Sequence, residues 1–584
     1  LIEPRAGMAS LISIDGERTG KPGPRLLFSN PNSLAGRNHI TIKSSNDRGL
    51  TWPADSQLLL DEWGSAGYSC LSMIDDQTVG ILYEGSRAHM TFQRVKLKDI
   101  VAAVPKKSAS KKPNVLLIVS EDNGPELGCY GDLYARTPHL NRLAREGVRF
   151  STAWVPYSVC SPSRACFLTG RYPHSNGQLG LATHKFAMYE KWPNLFSLLK
   201  SAGYRTGLLG KIHVNPTSAF PLDRHWNPAA SISFGKRDVR RIAEEAGKFI
   251  RAGDAPFVMS VNYPDAHYPL HRQLNGLPTF PQTAADVKTL PWIGVDNARL
   301  RKHVADYYNC LARLDTGIGL LLEELENSGK AENTIVIYLG DHGAQFSRGK
   351  TSVYEAGLRV PLIVRWPGYG KPGHVSHELV SSLDILPTVL QGTNVKSPAG
   401  LDGRALQPLL EGRFVKWREH LFAHKMGAAA HFYYPQVAVR DARYKLIANP
   451  LRRPNPPAQI YTDNSGVFFI AGTRKSEVAT ASLLIQKAYA TYHNPPPVEL
   501  YDLQADPYEF KNLANDPKHA VAQKRLHSRL REWQRDTGDP LVDAAALKRY
   551  TKEIDEAAAM KPFLAYRRDK NFRWRYLDWM KPKP

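Results

Sequence analysis

Val115-Leu116-Leu117-Ile118-Val119-Ser120-Glu121-Asp122-Asn123-Gly124 is the stretch that decides the fold. Five apolar residues in a row, three of them β-branched, read as a strand buried on both faces, the habit of parallel sheets. The carboxylates just past it stand where α/β sheets place their sites, outside the carboxyl ends of the strands. The pattern recurs downstream. Thr206-Gly207-Leu208-Leu209-Gly210 runs into Lys211-Ile212-His213, whose two basic residues share one face of an extended segment. Pro256–Tyr263 runs into Pro264-Asp265-Ala266-His267, and Thr334–Gly340 into Asp341-His342-Gly343. Helical patterns lie between these runs. One opens at Thr137-Pro138, with proline suited to a first turn, and continues to Glu146; a longer one covers roughly Asn297–Glu326. The expected class is therefore α/β, a mostly parallel central sheet flanked by helices.

At 584 residues the chain exceeds a single ordinary core. Its 42% hydrophobic and 23% charged residues are globular values, and no apolar run is long enough to span a bilayer. Five cysteines form an odd, sparse set that argues against a disulfide framework. The net charge of +22 suits an anionic partner. The sequence has no zinc-finger spacing, RNA-recognition signature or compact basic block, so nucleic acid is not the expected one. The chain starts at Leu1 without a charged n-region and apolar h-region, so no signal peptide is visible and further upstream sequence is expected.

The chemistry concentrates at Tyr157-Ser158-Val159-Cys160-Ser161-Pro162-Ser163-Arg164-Ala165, followed by Leu168-Thr169-Gly170-Arg171. Cys160 on its own would read as a buried structural cysteine. With Pro162, Arg164 and the Leu-Thr-Gly-Arg tail, the stretch resembles the signature of type I sulfatases. Other blocks follow in that family's order: Gly210-Lys211-Ile212-His213, Asp341-His342-Gly343, and Tyr354-Glu355-Ala356-Gly357-Leu358-Arg359-Val360-Pro361. The resemblance covers about residues 113–537. His431-Phe432-Tyr433-Tyr434-Pro435, Arg443-Tyr444-Lys445-Leu446 and Trp533-Gln534 are similar to the N-sulfoglucosamine sulfohydrolase branch.

The resemblance implies an alkaline-phosphatase-like α/β domain with a smaller C-terminal antiparallel subdomain. It implies that Cys160 is oxidised to formylglycine by a formylglycine-generating or sulfatase-maturing enzyme, and that the aldehyde hydrate is the nucleophile. Arg164 and Lys211 would hold the hydrate and nearby charge, and His213 would accept a hydroxyl proton. His267 and Lys350 would contact the sulfate, with one of them protonating the leaving atom; His271 is a near alternative to His267. Glu121, Asp122 and Asp341, with His342 or the hydrate at Cys160, would hold one divalent cation, usually calcium in this family. Oxygen ligands suit such an ion. Two residues depart from the common pattern: Glu121 stands where Asp is usual, and His342 where many members have Asn. A sulfated saccharide is the implied substrate, and a secreted or periplasmic location the implied setting.

The flanks differ in character. Residues 1–100 read as short strands, with Ser45-Asn46-Asp47-Arg48-Gly49-Leu50-Thr51-Trp52 matching the Asp-box of sialidase-like propellers. Gly67-Tyr68-Ser69 resembles the nucleophile segment of bacterial sialidases, with Arg37 a carboxylate-binding arginine by position. About 100 residues make one or two blades, so a partial propeller serving as an accessory module is expected. Residues 101–113 are a basic, proline-containing linker. The catalytic domain is expected over 114–395, its subdomain over 396–540, and a basic, aromatic extension packed on the surface over 541–584.

Three functions remain open at this point. One is removal of sulfate from a sulfated glycan, the N-sulfo group of glucosamine in heparan-type chains foremost and an O-sulfate second. The others are a phosphoesterase of the same fold and a non-catalytic glycan-binding protein. A cysteine in C-x-P-x-R argues against the phosphoesterase, and the full set of site residues against a dead enzyme.

Overall fold

A computed structural model describes residues 112–227, 237–463 and 469–581, and N-terminal to these 9–14, 25–32, 39–45, 49–50, 52, 57–61, 68–85 and 89–101. The chain divides into two compact units, Leu1–Ser110 and Lys111–Pro584.

The first unit is mostly β among its described residues, with one short helix at Leu97–Val101. Strands β1 (Ser10–Ile14), β2 (Arg25–Pro31), β3 (Ile40–Ser45) and β4 (Gln57–Asp61) form one antiparallel sheet; β5 (Ser69–Asp75), β6 (Thr78–Glu84) and β7 (Met90–Lys96) form a second. Leu27, Ile40, Ile42, Val79 and Ile81 are its fully buried core. Of the Asp-box, Gly49 at φ +86° donates its N–H to Ser45 Oγ (2.8 Å), and Trp52 donates Nε1–H to Gly49 O (3.1 Å). The indole packs against Phe28 at 5.6 Å between ring centroids. Tyr68 is 42% exposed, while Arg37, Asp47 and Gly67 lie outside the described residues.

The second unit is built on an eight-stranded sheet. Its strands are β8 (Asn114–Ser120), β9 (Val148–Trp154), β10 (Arg205–Leu209), β11 (Arg224–Trp226), β12 (Phe257–Tyr263), β13 (Thr334–Gly340), β14 (Arg359–Arg365) and β15 (Val375–Ser381), in the order β11-β10-β12-β8-β13-β14-β9-β15. Only β14 opposes its neighbours. Every residue of β8, β12 and β13 is buried, as their unbroken apolar runs require once helices cover both faces. Gly340 pairs with Ser120 and Tyr263 with Ser120 across the two ladders, so the three strands end level and deliver their loops to one place.

The helices obey the expected local rules. Pro138 opens the helix Pro138–Glu146, whose first free N–H groups (His139, Leu140) donate to the buried Asp315 carboxylate at 3.1 and 2.8 Å. The long pattern is a helix over Ala298–Asn327, capped by the Asn297 side chain on Leu300 N. A four-stranded antiparallel sheet follows, β16 (Leu421–Lys425), β17 (Gln436–Arg440), β18 (Tyr444–Ala448) and β19 (Val498–Asp502), with the helix Ala520–Asp536.

The C-terminal extension differs from a surface strap. Trp574 and Tyr576 are fully buried and Tyr566 nearly so, in one core with Tyr157, Leu179 and Phe186. Their polar tips all find partners on the loop after the signature. Trp574 Nε1 donates to His184 O (3.0 Å), Tyr566 Oη meets His184 Nδ1 (2.6 Å), and Tyr576 Oη donates to Gly177 O (2.9 Å). An apolar ring with one polar end satisfies burial and hydrogen bonding together, which is why aromatic residues can finish this core.

Candidate active site

The site forms at the carboxyl edge of the large sheet. β9 leads through Pro156–Ser158 into the helix Cys160–Thr169, so Cys160 is the first helical residue and its side chain sits at the helix N-terminus. The ten-residue helix is buried throughout. The thiol stands here for the formylglycine hydrate that the signature implies. It lies 3.3 Å from His342 Nε2. Burial opposes its ionisation, but Lys211 and Lys350 outweigh burial and bring its pKa below the ordinary thiol value.

One turn on, Arg164 is 1% exposed and binds four groups. Its Nε donates to Asp341 Oδ2 (3.1 Å), and its Nη1 to Asn262 Oδ1 (2.7 Å) and Lys211 O (2.9 Å). Its Nη2 lies 3.0 Å from Asp341 Oδ2 and 3.4 Å from Glu121 Oε1. A planar fork with five N–H donors can serve several buried acceptors at once in a fixed geometry, which a flexible ammonium with three donors does less well.

Glu121 and Asp122 follow β8, and Asp341 and His342 follow β13. Asp122 is held at φ +51°, an unusual conformation for a side-chain-bearing residue, with its N–H donated to Asp341 Oδ1 (3.0 Å). Lys350 Nζ bonds both oxygens of Asp122 at 2.9 and 2.8 Å, and Lys211 Nζ bonds Glu121 Oε2 at 2.9 Å. Burial raises the Asp122 carboxyl against the pull of Lys350 and His342. Burial would raise Asp341 as well, but His342 and Arg164 draw it down to about 2.

His213 follows β10 at φ +54°, with Nε2 3.5 Å from Thr183 Oγ1 and no partner on Nδ1. Burial first, then Lys211 and Arg164, hold its pKa well below the usual histidine value, so it is a neutral base. His267 follows β12 with Nδ1 on Tyr268 O at 2.6 Å, which sets Nδ1 as the protonated nitrogen. Burial first, then the charges of Lys350 and Lys211, hold its pKa well below the usual histidine value. His271 sits among Arg237, Arg313, Asp265 and Asp306 instead. Of the two histidines, the structure brings His267 to the lysines.

Eight of the ten residues singled out by the sequence are joined by direct contacts, and His213 and His267 feel the charges of Lys211 and Lys350. The site also holds residues the sequence reading passed over. Asn262 is the acceptor that orients Arg164; a polar residue inside the run Phe257–Val261 and Tyr263 was the available signal. Thr183 faces His213 from a loop that carries no motif.

The donor set fits a hard divalent cation. Glu121, Asp122 and Asp341 bring three buried carboxylates together, and Glu121 Oε1 has no hydrogen-bond partner. His342 Nδ1 lies 3.0 Å from Gly343 O, leaving Nε2 at 3.3 Å from Asp122 Oδ1 and 3.6 Å from Asp341 Oδ1. One ligand atom each from Asp122, Cys160 and His342 lie within 4.8 Å of one another.

Residues 113–395 match the family model described as Sulfatase, and residues 340–452 the one described as N-sulphoglucosamine sulphohydrolase, C-terminal. Human N-sulphoglucosamine sulphohydrolase is 32% identical over 472 residues, 74% of this chain and 91% of that protein. An ulvan-active sulfatase of Formosa agariphila is 29% identical over 443 residues, 74% of this chain and 82% of its own. The solved structure of BT4656 in complex with its substrate D-glucosamine-2-N,6-O-disulfate shares the fold, with a TM-score of 0.52 at 21% identity over 74% of this chain and 99% of that one. Sulfatases in general carry a formylglycine and a divalent metal. Identity at this level across 91% of a curated sulfatase means that the chain belongs to the sulfatase family.

Proposed function

We propose that this sulfatase hydrolyses the sulfamate of N-sulfoglucosamine in heparan-type saccharides. The observation that carries this reading is the 32% identity to human N-sulphoglucosamine sulphohydrolase, extending over the C-terminal segment as well as the catalytic one. A second reading, O-desulfation of another polysaccharide, is favoured by the ulvan-active relative at 29% identity.

In the proposed mechanism, formylglycine at position 160 supplies the nucleophilic hydroxyl as its hydrate. A divalent cation, calcium on this reading, would be held by Glu121, Asp122, Asp341 and His342 and would neutralise charge on the sulfate. The remaining work falls to the chain's own residues. Lys350 stays charged because Asp122 outweighs the effect of burial, and with Lys211 it presents two ammonium groups to an anionic sulfate. Arg164 anchors Asp341 and Glu121 so that the negative wall does not shift as charge moves. Neutral His213 accepts the proton of the second hydroxyl at position 160, the one that does not attack sulfur, so that sulfate is expelled. His267, neutral in the free site, gains a proton as the anion arrives and passes it from Nε2 to the leaving nitrogen. An amine leaves readily once protonated, so the site's acid suffices for an N–S bond.

A formylglycine-generating or sulfatase-maturing enzyme would prepare Cys160, and a secreted or periplasmic setting goes with the reading. Among the described residues, no helix is long and apolar enough to cross a membrane. The N-terminal unit is read as an accessory β module.

Desulfation of N-sulfo-, 6-O-, 2-O- and 3-O-sulfated saccharides by the matured protein tests the substrate. N-sulfoglucosamine should release sulfate fastest, and Cys160→Ala should release none. Preference for an O-sulfate would replace the first reading with the second. Full activity in Cys160→Ala would sink both.

A further inference from the structure

Away from the active site, a second cluster of ligating side chains is buried in the same unit. His174 comes from the turn after the signature helix, His424 from β16, and Asp539 from the segment following the helix Ala520–Asp536. All three are buried, and one ligand atom from each lies within 4.8 Å of the others.

The hydrogen bonds show which atoms remain available. Thr537 Oγ1 donates its one proton to Trp533 O (2.7 Å), so at 2.9 Å from His174 Nε2 it can only accept. His174 is therefore protonated on Nε2. Its buried Nδ1 carries a lone pair and has no hydrogen-bond partner among the described residues. His424 is 0% exposed; Nε2 faces Asp539 Oδ1 at 3.3 Å, and Nδ1 has no hydrogen-bond partner among the described residues. Asp539 is held ready by others. Gln534 Nε2 donates to Oδ2 (2.8 Å) and Leu541 N to Oδ1 (2.9 Å), leaving one lone pair of Oδ1 on the histidine side.

We propose that His174, His424 and Asp539 form a structural site for a transition-metal ion, zinc by its ligand chemistry. Two imidazoles and one carboxylate are a borderline nitrogen and oxygen set that suits Zn2+ rather than calcium. The 3.3 Å between His424 Nε2 and Asp539 Oδ1 matches the edge of a tetrahedron with metal–ligand bonds of about 2.0–2.1 Å, which is about 3.4 Å. Outer partners are in place too: Thr537 on His174, and Gln534 and Leu541 on Asp539. The ion would tie together three segments that lie far apart in sequence.

The test uses the full chain, in a Cys160→Ala background so that the thiol beside His342 cannot take zinc. The protein is loaded with ZnCl2, dialysed, and its metal measured by elemental analysis and zinc-edge X-ray absorption. The expected result is one zinc per chain with a nitrogen and oxygen shell near ~2.0–2.1 Å and no sulfur shell near ~2.3 Å. It should be lost in His424→Ala and His174→Ala and kept in Asp122→Asn. Zinc should also raise the unfolding temperature of the parent but not of His424→Ala. No retained zinc in the parent overturns the proposal and leaves a buried histidine–carboxylate network. Zinc that survives both histidine variants but is lost in Asp122→Asn overturns it as well. The same X-ray and thermal measurements on Asp122→Asn, which lacks an active-site carboxylate, decide the question even if a histidine variant fails to fold.

Discussion

Lys350→Met is the most informative perturbation of the active site. The ammonium bonds both oxygens of Asp122 at 2.9 and 2.8 Å, and the two side chains are 9% and 0% exposed. Methionine keeps most of the volume and removes the charge. In the metal-free protein Asp122 then keeps only His342 Nε2 at 3.3 Å and the more distant site charges. Removing one partner of a buried ion pair costs about 3–5 kcal/mol, because the other charge stays desolvated. A bound divalent cation would restore positive charge beside the same carboxylate. The loss should therefore shrink when calcium is present, and calcium should stabilise Lys350→Met more than the parent. Denaturant unfolding of both proteins, with calcium and with a chelator, measures this directly. Sulfate release by the matured variant should fall by about 10²–10³-fold as one of the two ammonium groups facing the sulfate is lost, with Lys350→Arg recovering part of it. Equal stability of variant and parent without metal would refute the buried-pair argument. Equal losses with and without calcium would refute the shared charge between Lys350 and the cation.

Two further substitutions probe the scaffold. Tyr157 Oη accepts from Met426 N and Gly427 N, each at 2.8 Å, so Tyr157→Phe orphans two buried donors and should cost about 2–6 kcal/mol in thermal or denaturant unfolding. Lys425 is fully buried, and burial lowers its pKa from 10.5 to about 7. The unfolded chain binds the extra proton between those values, so stability rises with pH from about 7 towards 10, by up to about 1.4 kcal/mol per unit. Lys425→Met should be the more stable protein at pH 7 and should lose that slope; a parallel pH profile in the variant would refute the assignment.

Much of the site is legible in the chain because its parts are local. The run Val115–Val119 can only be a doubly buried strand, and Glu121 and Asp122 follow it directly, so their place at the sheet's edge is a consequence of chain continuity. The same holds for Lys211, His213, Asp341 and His342. Cys160 and Arg164, four apart, must share a helix face once Pro162 is accepted in a first turn. The choice between His267 and His271 was not local: both follow the same strand, but Arg313 Nη1 donates to His271 O at 3.3 Å while His267 feels the Lys350 and Lys211 charges.

The sequence by itself determined the strand ends and the charge types that follow them, since each is set by periodicity or by neighbours within a few residues, while the role of Cys160 is what the signature's resemblance to sulfatases implies. The tertiary structure alone decided what long-range packing brings together. It buries Trp574 and Tyr576 against the loop after the signature, where aromatic composition suggested a surface strap. It also places His174, His424 and Asp539 around one point. No pattern connects those three positions, because their meeting depends on how β16 and the helix Ala520–Asp536 pack beside the signature helix.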